Sequence, residues 1–182
     1  DDALAVVERL REPGSPVRWM HFNSIGREGF DAVGIPGHLT VTHAVGALAP
    51  TVADHALALL LALRRRLPDA LAARADRRWD PTLRNGMRGL DGDTVLVVGL
   101  GNIGKAVARR ARAFGMRVIA ANRTVRPDDS VDALYPLSAL HDLAGEVDAV
   151  VLCAALTPET GGIIDARFVS QCRRHAVVVN VG

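Results

Sequence analysis

The sequence is poor in cysteine, in aromatic residues and in long apolar runs. Its two cysteines, Cys153 and Cys172, give no disulfide framework and no paired metal-ligand spacing, which predicts a metal-free protein of the reducing cytoplasm. Aromatic residues are only 4% of the chain, so the core must consist mainly of Ala, Val, Leu and Ile. The longest uncharged apolar run, residues 56–63, is far shorter than the ~20 residues that span a bilayer. We therefore expect no membrane contact.

Lysine is also nearly absent, because Lys105 is the one lysine among 22 basic residues. The net charge of +2 is too close to neutral to indicate a nucleic-acid partner. The base composition of the source genome explains the many arginines better than a phosphate-binding surface does. The remaining composition, 49% apolar and 23% charged over 182 residues, is typical of a globular chain. Its length suffices for one full domain or for parts of two.

The two ends of the sequence look incomplete. A helix over residues 1–11, strands over 17–22 and 41–42, and a polar glycine turn over 23–29 account for the first part. These elements are too few to close a core of their own. The last predicted strand, 176–179, ends three residues before the terminus and has no helix to cover it. We therefore expect a chain that is truncated at both ends.

Two helices are predicted before the most regular part of the chain. The first runs from residue 50 to about residue 66, and the second from 68 to 79. The buried face of the first is expected to carry Val52, Ala56, Leu59, Leu60 and Leu63. Its last three residues, 64–66, are arginines, which we expect to be solvated at the negative end of the helix dipole, with a docking patch as the alternative.

From residue 94 onward, strands alternate with helices. Residues 95–98 form a continuous apolar run, which is typical of a strand buried on both faces, and further strands are predicted over 118–121, 148–152 and 177–179. A helix follows the first strand, with a buried stripe of Ile103, Val107, Ala111 and Phe114. Alternation without hairpin signals predicts an α/β fold with a doubly wound parallel sheet of the Rossmann type.

The turn after the first of these strands reads Gly99-Leu100-Gly101-Asn102-Ile103-Gly104. A strand before this pattern and a helix after it are the context in which it binds the pyrophosphate of a dinucleotide. Gly99 permits the tight turn, Gly101 lets the backbone approach the phosphates, and Gly104 lets the helix pack closely on the strand. The helix start near Asn102 adds N–H donors and a positive dipole end. A tight turn without a ligand is the alternative.

The end of the second strand bears on the choice between NAD and NADP. An acidic residue there would bind the adenosine ribose and repel a 2′-phosphate. This chain instead has Asn122, Arg123 and Thr124, with Arg126 close behind. Asn122 is neutral, and Arg123 and Thr124 can donate to a phosphate. We expect NAD or NADP as the cofactor, with NADP favoured; an unselective turn before Pro127 is the alternative.

The sequence resembles the D-isomer specific 2-hydroxyacid dehydrogenases over nearly all of its length. Six segments occur in the order and spacing of that family, and their combination is highly specific. They are residues 23–26, 52–56, 98–104, 114–118, 156–160 and 179–182.

The resemblance implies a second, incomplete α/β domain: a remnant of the substrate domain over residues 1–49 beside a cofactor domain over residues 50–182. It also implies a homodimer shaped by the long helix. Ser24, Ile25 and Gly26 are implied to hold the substrate carboxylate across the cleft from the nicotinamide. The implied cofactor contacts are Asn102 and Ile103 at the pyrophosphate, Asn122, Arg123 and Thr124 at the adenosine ribose, and Ala154, Thr157, Val181 and Gly182 below and beside the nicotinamide.

The catalytic Arg, Glu and His of the family are implied to lie beyond Gly182, so the 182 residues alone are expected to be inactive. None of the six histidines is expected to replace the missing acid. We expect His43 and His55 to be satisfied polar residues, and His38, His141 and His175 to be loop or surface residues. His21 could line the cleft. Cys153 is expected to be a small buried residue rather than a nucleophile.

The function implied for the whole protein is that of an NAD(P)-dependent oxidoreductase. It would transfer a hydride between the nicotinamide and a small 2-hydroxy or 2-keto acid, as a D-2-hydroxyacid dehydrogenase or a glyoxylate/hydroxypyruvate reductase does. The alternative is a non-catalytic co-repressor on the same fold that senses a dinucleotide. An intact Arg, Glu and His would favour the enzyme, and a peptide-docking groove would favour the co-repressor.

Overall fold

The computed structural model describes residues 2–22 and 28–182. By its internal contacts the chain forms two compact units, Asp1–Leu48 and Ala49–Gly182, here called the first and the second unit. Ser24, Ile25 and Gly26, the predicted substrate-binding residues, lie outside the described residues. The assignment of the first unit to a substrate domain and of the second unit to a cofactor domain stays a prediction.

The first unit contains a pair of parallel strands and two helices. Its elements are α1 (Asp2–Arg11), β1 (Trp19–Phe22), α2 (Glu28–Val33) and β2 (Thr40–His43). Val7 of α1 and Phe22 of β1 are buried, and the Arg11 guanidinium donates to the carbonyl oxygens of Val33 and Gly34 at the end of α2. The predicted glycine turn was too long, because its last two residues belong to α2.

The second unit is built around a five-stranded sheet. Its helices are α3 (Ala49–Arg64), α4 (Leu67–Ala75), α5 (Asn102–Ala113), α6 (Leu140–Leu143) and α7 (Ala166–Gln171), and its strands are β3 (Thr94–Val98), β4 (Arg117–Asn122), β5 (Ala133–Pro136), β6 (Ala149–Leu152) and β7 (Val177–Asn180). Short 3-10 turns cover Pro81–Gly86, Leu137–Ala139 and Ala144–Glu146.

The sheet has the order β5-β4-β3-β6-β7, and every neighbouring pair is parallel. The chain moves outward from β3 to β5, crosses back, and continues from β6 to β7 on the other side. The order therefore reverses between β3 and β6, which is the switch point at which open α/β sheets bind ligands. The predicted doubly wound parallel sheet is confirmed.

Both faces of the sheet are covered, as the continuous apolar runs predicted. Val95 and Val97 of β3 belong to a core cluster that includes residues of α3 and α5. Leu96 and Val98 belong to a second cluster that includes residues of α6 and α7. Because successive strand residues point to opposite faces, each strand contributes to both cores.

The buried faces of two helices differ from the prediction. In α3 the buried residues are Ala49, Ala53, Ala56, Leu57, Leu60 and Arg64. Leu59 and Leu63 are 38% and 48% exposed, because α3 packs on α5 and β7 along one stripe only. In α5 the predicted stripe ends one position early: Phe114 lies beyond the helix and is 45% exposed.

The ends of α3 and α4 are set by two arginines in the left-handed region. Arg66 has φ 53° and Arg77 has φ 52°, so α3 ends at Arg64 and α4 at Ala75. Both helices are thus shorter than predicted, and Trp79 lies outside α4 with 90% of its surface exposed. The short helices α2, α6 and α7 were not predicted, since four to six residues make fewer than two helical turns and show no apolar stripe. The strand β5, whose four residues end at Pro136, was not predicted either.

The amino edge of the sheet holds a cluster of charged groups around Asp148. Asp148, before β6, is buried and accepts hydrogen bonds from the Thr94 N–H at 2.9 Å, Arg173 Nη1 at 2.7 Å and His175 Nε2 at 2.8 Å. Burial alone would raise the pKa of Asp148, but these hydrogen bonds outweigh it and lower the pKa to about 2. His175, predicted to be a loop or surface residue, is half-buried here.

Arg64 belongs to the same edge and corrects the prediction of a solvated arginine run. Its side chain is 2% exposed and pairs with Asp93, directly before β3. It also donates to the carbonyl oxygen of His175 at 3.2 Å, and burial lowers the pKa of its guanidinium. The next two arginines are not buried in this way, so only the first residue of the run contributes to the core.

We predict that Asp148→Asn lowers the free energy of unfolding by about 2 kcal/mol, because Arg173 and His175 lose a buried charged acceptor. The folded pKa of about 2 lies below the unfolded value of ~3.9. This stabilisation is therefore present above about pH 4 and is lost as the pH falls toward 2. Urea denaturation at about pH 7 and about pH 3 measures both effects.

The control for this experiment is Asp54→Asn, which removes an exposed carboxylate paired with Arg110. We expect it to change the free energy of unfolding by less than about 0.5 kcal/mol. If Asp148→Asn were as stable as the parent at both pH values, the amino-edge cluster would not contribute to folding.

Candidate functional site

The carboxyl ends of three strands meet at the backbone of Ala154. Gly99 follows β3 with φ +92°, and a Cβ there would lie 2.8 Å from the Ala154 nitrogen. A Cβ on Gly182, after β7, would overlap the Ala154 carbonyl oxygen. Three predicted site residues that are far apart in sequence are thus brought together at the switch point of the sheet.

Gly101 and Gly104 differ in their surroundings. A Cβ on Gly104 would overlap the carbonyl oxygen of Gly99 and lie 3.2 Å from Val97 Cγ1, so only glycine lets α5 pack this closely on β3. A Cβ on Gly101 would meet no atom of the described residues within 4 Å. The backbone at Gly101 is therefore open on the side where a ligand would approach.

The N-terminus of α5 begins directly after this opening. Gly101 is its N-cap and has no side chain, so the N-cap residue offers no side-chain acceptor to the first N–H groups of the helix. Ile103 packs against the core cluster of α3 and α5, which leaves its backbone as the part available for binding. Asn102 is exposed at the helix start. This arrangement fits a bound phosphate group.

Asn122, at the end of β4, joins two loops. Its Oδ1 accepts a hydrogen bond from the Leu100 N–H at 3.3 Å, and its Nδ2 donates to the Thr124 carbonyl oxygen at 3.1 Å. Both ends of the amide are therefore engaged by the backbone.

Arg123 is exposed and, within residues 2–22 and 28–182, has no hydrogen-bond or ion-pair partner. Thr124 is exposed beside it. The pKa of Glu159 is lowered, first by the hydrogen bond from the Thr157 hydroxyl and to a smaller extent by the charge of Arg123. An unpaired guanidinium and a hydroxyl thus stand together at the carboxyl edge of β4.

The loop after β6 is held by its own threonines. The Thr157 N–H donates to Thr160 Oγ1 at 2.8 Å, and Thr160 Oγ1 donates to the Ala155 carbonyl oxygen at 2.6 Å. The Thr157 hydroxyl donates to Glu159 at 2.7 Å. Thr157 therefore fixes the shape of the loop that carries Ala154.

Neither Cys153 nor the histidines of the second unit offer an acid or a nucleophile at this edge. Burial raises the pKa of the Cys153 thiol to about 12, so it is not a thiolate at neutral pH. His141 is half-buried on α6 beside Gln171, not on a loop, and His175 lies at the amino edge. His43 and His55 are both exposed, and among the described residues no side chain hydrogen-bonds to their rings. His38 is exposed, and His21 hydrogen-bonds Thr42 in the first unit.

One ion pair near the site was not predicted. Lys105 Nζ, on α5, lies 2.6 Å from Asp128 Oδ2, in the segment that follows β4. A separation of 23 residues gives no periodic signal, so sequence reasoning had no means to find it.

Neither a metal site nor a membrane-spanning helix is found within residues 2–22 and 28–182. In that part of the chain no three His, Cys, Asp or Glu side chains are grouped so that they could hold a metal ion. Over the same residues, none of the helices combines the length and the apolar character that crossing a membrane requires.

Comparison with known proteins gives consistent matches. The model of the "D-isomer specific 2-hydroxyacid dehydrogenase, NAD binding domain" matches residues 57–182. A D-3-phosphoglycerate dehydrogenase of Mycobacterium bovis is 38% identical over 130 residues, which are 71% of this chain and 24% of that protein. A glyoxylate reductase/hydroxypyruvate reductase of Mus musculus is 33% identical over 147 residues, with coverages of 79% and 44%.

A solved structure agrees with these matches. It is that of a D-isomer specific 2-hydroxyacid dehydrogenase family protein from Aeromonas salmonicida, with a TM-score of 0.84 and 27% identity. The match covers 98% of this chain and 57% of that one. The chain spans between about a quarter and less than half of the length of the curated relatives named above.

We predict that two glycine substitutions affect different properties: Gly104→Ala mainly the stability of the fold, and Gly101→Ala mainly the binding of NADH. Gly104→Ala should lower the free energy of unfolding by about 2 kcal/mol, because its methyl group overlaps the Gly99 carbonyl oxygen. Gly101→Ala should cost less than about 1 kcal/mol, because its methyl group enters open space. It should nevertheless weaken NADH binding on the order of tenfold, by keeping the phosphates away from the backbone.

Denaturation and fluorescence titration with NADH measure the two quantities separately. Gly162→Ala is not a suitable control, since its φ is +70°; Gly89→Ala, at another open position, is the matched one. Unchanged NADH affinity in Gly101→Ala would contradict the assignment of this opening to a phosphate group.

Proposed function

The chain belongs to the D-isomer specific 2-hydroxyacid dehydrogenase family, and on that premise we propose that the whole protein is an NAD(P)-dependent oxidoreductase of a small 2-hydroxy or 2-keto acid. The main support is that Gly99, Ala154 and Gly182 lie together at the switch point of the sheet, beside the open backbone of Gly101. The named relatives are dehydrogenases and reductases. No observation favours the co-repressor alternative.

In this proposal the residues of the second unit bind and orient the dinucleotide. The N–H groups of Asn102 and Ile103 bind the pyrophosphate, since the N-cap residue Gly101 has no side chain that would cap them. Ala154, Thr157, Val181 and Gly182 lie along the nicotinamide half, where backbone contacts and the threonine-braced loop fix the position of the ring. When bound, the nicotinamide supplies or accepts the hydride.

The substrate side is proposed from the family alone. Residues 1–49 would belong to a substrate domain, whose Ser24, Ile25 and Gly26 hold the substrate carboxylate through backbone N–H groups. The family's arginine would clamp the carboxylate and its histidine would donate the proton, both outside residues 1–182. The cytoplasm is the proposed location, in keeping with two free thiols.

A preference for NADPH follows from the charges at the end of β4. Arg123 is exposed and has no ion-pair partner among the described residues, so its guanidinium is free to bind a 2′-phosphate. Asn122 adds no negative charge that would repel the phosphate. The charge of Arg123 contributes to the lowered pKa of Glu159, but the Oε2 of Glu159 already accepts a hydrogen bond from Thr157.

A homodimer is proposed from the surface of α3 and α4. Leu67 and Leu71 of α4 are 48% and 61% exposed and, being four residues apart, share one face of that helix; Leu63, near the end of α3, is 48% exposed. Single exposed leucines are common, but two on one face of a helix make that face a candidate interface. The partner is a second copy of the chain, as the family resemblance implies for the long helix.

We predict that the chain binds NADPH more tightly than NADH, and that Arg123→Ala weakens NADPH binding roughly tenfold or more while NADH affinity stays within about twofold. Fluorescence titration measures both affinities. Arg109→Ala, which removes an exposed arginine from α5, is the control. A clear preference for NADH in the parent chain would contradict the proposed selectivity.

The reaction itself is measured with protein that carries the family's Arg, Glu and His. Addition of glyoxylate or hydroxypyruvate should then oxidise NADPH, followed by the loss of nicotinamide absorbance. No oxidation of NADPH with any of a panel of 2-keto acids would contradict the proposed reaction but would leave dinucleotide binding intact.

We predict that Leu63→Glu and Leu71→Glu together convert a dimer into a monomer, because two carboxylates would be buried in the interface. Sedimentation velocity over a concentration series measures the change. Val169→Glu, at a 56% exposed position of α7, is the matched control. A parent chain that sediments as a monomer at all concentrations would contradict the proposed dimer.

A further inference from the structure

Residues 123–127, here called the adenosine-side loop, are attached to the rest of the second unit at both ends. We propose that Asn122 and the Lys105–Asp128 pair are positioning residues that set the preference for NADPH by holding this loop against the glycine-rich turn and α5. The inference rests on the proposed phosphate site, because the loop carries Arg123.

The first attachment is the amide of Asn122. It accepts from the Leu100 N–H and donates to the Thr124 carbonyl oxygen, so it links the glycine-rich turn to the adenosine-side loop. The Gly99 N–H donates to the Ala121 carbonyl oxygen at 2.8 Å and supports the same junction. An aspartate at position 122 could keep the first hydrogen bond, but it has no N–H to donate to Thr124.

The second attachment is the ion pair beyond the loop. Lys105 lies in the first turns of α5, where its N–H donates to the Gly101 carbonyl oxygen, and its ammonium group pairs with Asp128 at 2.6 Å. The Ser130 N–H also donates to Asp128. The hydrogen bond from Lys105, followed by those from Ser130, lowers the pKa of Asp128 to about 2, so this carboxylate stays ionised at neutral pH.

Between these attachments the loop has few contacts. All five of its residues are exposed, and Val125 is 49% exposed without a place in either core cluster. Among the residues that the structure describes, Arg123 and Arg126 have no hydrogen-bond or ion-pair partner. The two end attachments therefore determine where the guanidinium of Arg123 is held.

The attachments affect the two cofactors differently for an entropic reason. A guanidinium on a freely moving loop must lose that freedom when it binds a phosphate, which weakens binding. A loop that is already held loses less, so the phosphate binds more tightly. NADH has no 2′-phosphate and does not use Arg123 in this way, so loosening the loop should leave NADH affinity nearly unchanged.

The decisive variant is Asp128→Ala, because two explanations predict opposite signs. If only charge mattered, removing the negative charge of Asp128, which directly follows the loop that carries Arg123, would strengthen the binding of the anionic NADPH. If the pair positions the loop, its removal weakens NADPH binding, by roughly threefold to tenfold, and leaves NADH within about twofold. Asn122→Ala should give the same selective loss without any change in charge.

The matched control is Asp54→Ala, which also removes an exposed carboxylate that is paired with a cation of α5, here Arg110 at 2.6 Å. It should leave both affinities unchanged. Fluorescence titration with NADPH and NADH is carried out on the 182-residue chain, and thermal unfolding verifies that each variant is folded. The same variants are then made with Arg123→Ala, in which the loop attachments should no longer affect NADPH.

The selective NADPH loss in Asp128→Ala and Asn122→Ala supports the inference. Stronger or unchanged NADPH binding in Asp128→Ala, or an equal loss for NADPH and NADH in both variants, would overturn it. If Arg123→Ala weakens NADPH binding and the two attachment variants do not, the phosphate site stands and the positioning role falls. If none of the three affects NADPH, both fall.

Discussion

The arrangement of the second unit depends on the close contact between Gly104 of α5 and the carbonyl oxygen of Gly99 after β3. Any side chain at position 104 would push the helix away from the strand. Because the helix stays close, its uncapped N-terminus lies directly beside the open backbone at Gly101. The same turn leaves Gly99 against Ala154, which in turn contacts Gly182. One short helix–strand distance thus determines which backbone groups lie open at the carboxyl edge of the sheet.

The charged side chains at the two edges of the sheet differ in whether they have partners within the protein. At the amino edge, Asp148 is buried and fully engaged by Thr94, Arg173 and His175, so its charge serves folding. At the carboxyl edge, Arg123 and Arg126 are exposed, and in the described part of the chain they have no hydrogen-bond or ion-pair partner. A charge with its partners satisfied within the protein contributes little to ligand binding, whereas an exposed guanidinium keeps its donors for a ligand. This difference between the two edges supports a ligand site at the carboxyl edge and a structural role for the amino edge.

Much of the fold could be predicted from periodicity. The apolar run of β3, the glycine pattern and the stripe of α5 each agree with the observed elements, because each extends over enough residues to give a clear pattern. The helices α6 and α7 have four and six residues, which is fewer than two turns, and gave no such pattern, and the strand β5 was also not predicted. The buried state of Arg64 was also not predictable, since its partners Asp93 and His175 lie 29 and 111 residues further along the chain.

The sequence by itself determined the order of the elements, the parallel sheet and the glycines that make a close turn possible, because these follow from local patterns of apolar and small residues. Only the tertiary structure decided which distant residues meet: Gly99 and Gly182 at Ala154, Asn122 between Leu100 and Thr124, and Lys105 at Asp128. The reason is physical. A hydrogen bond or ion pair between residues many positions apart depends on how strands and helices pack in space, and no local periodicity encodes that distance.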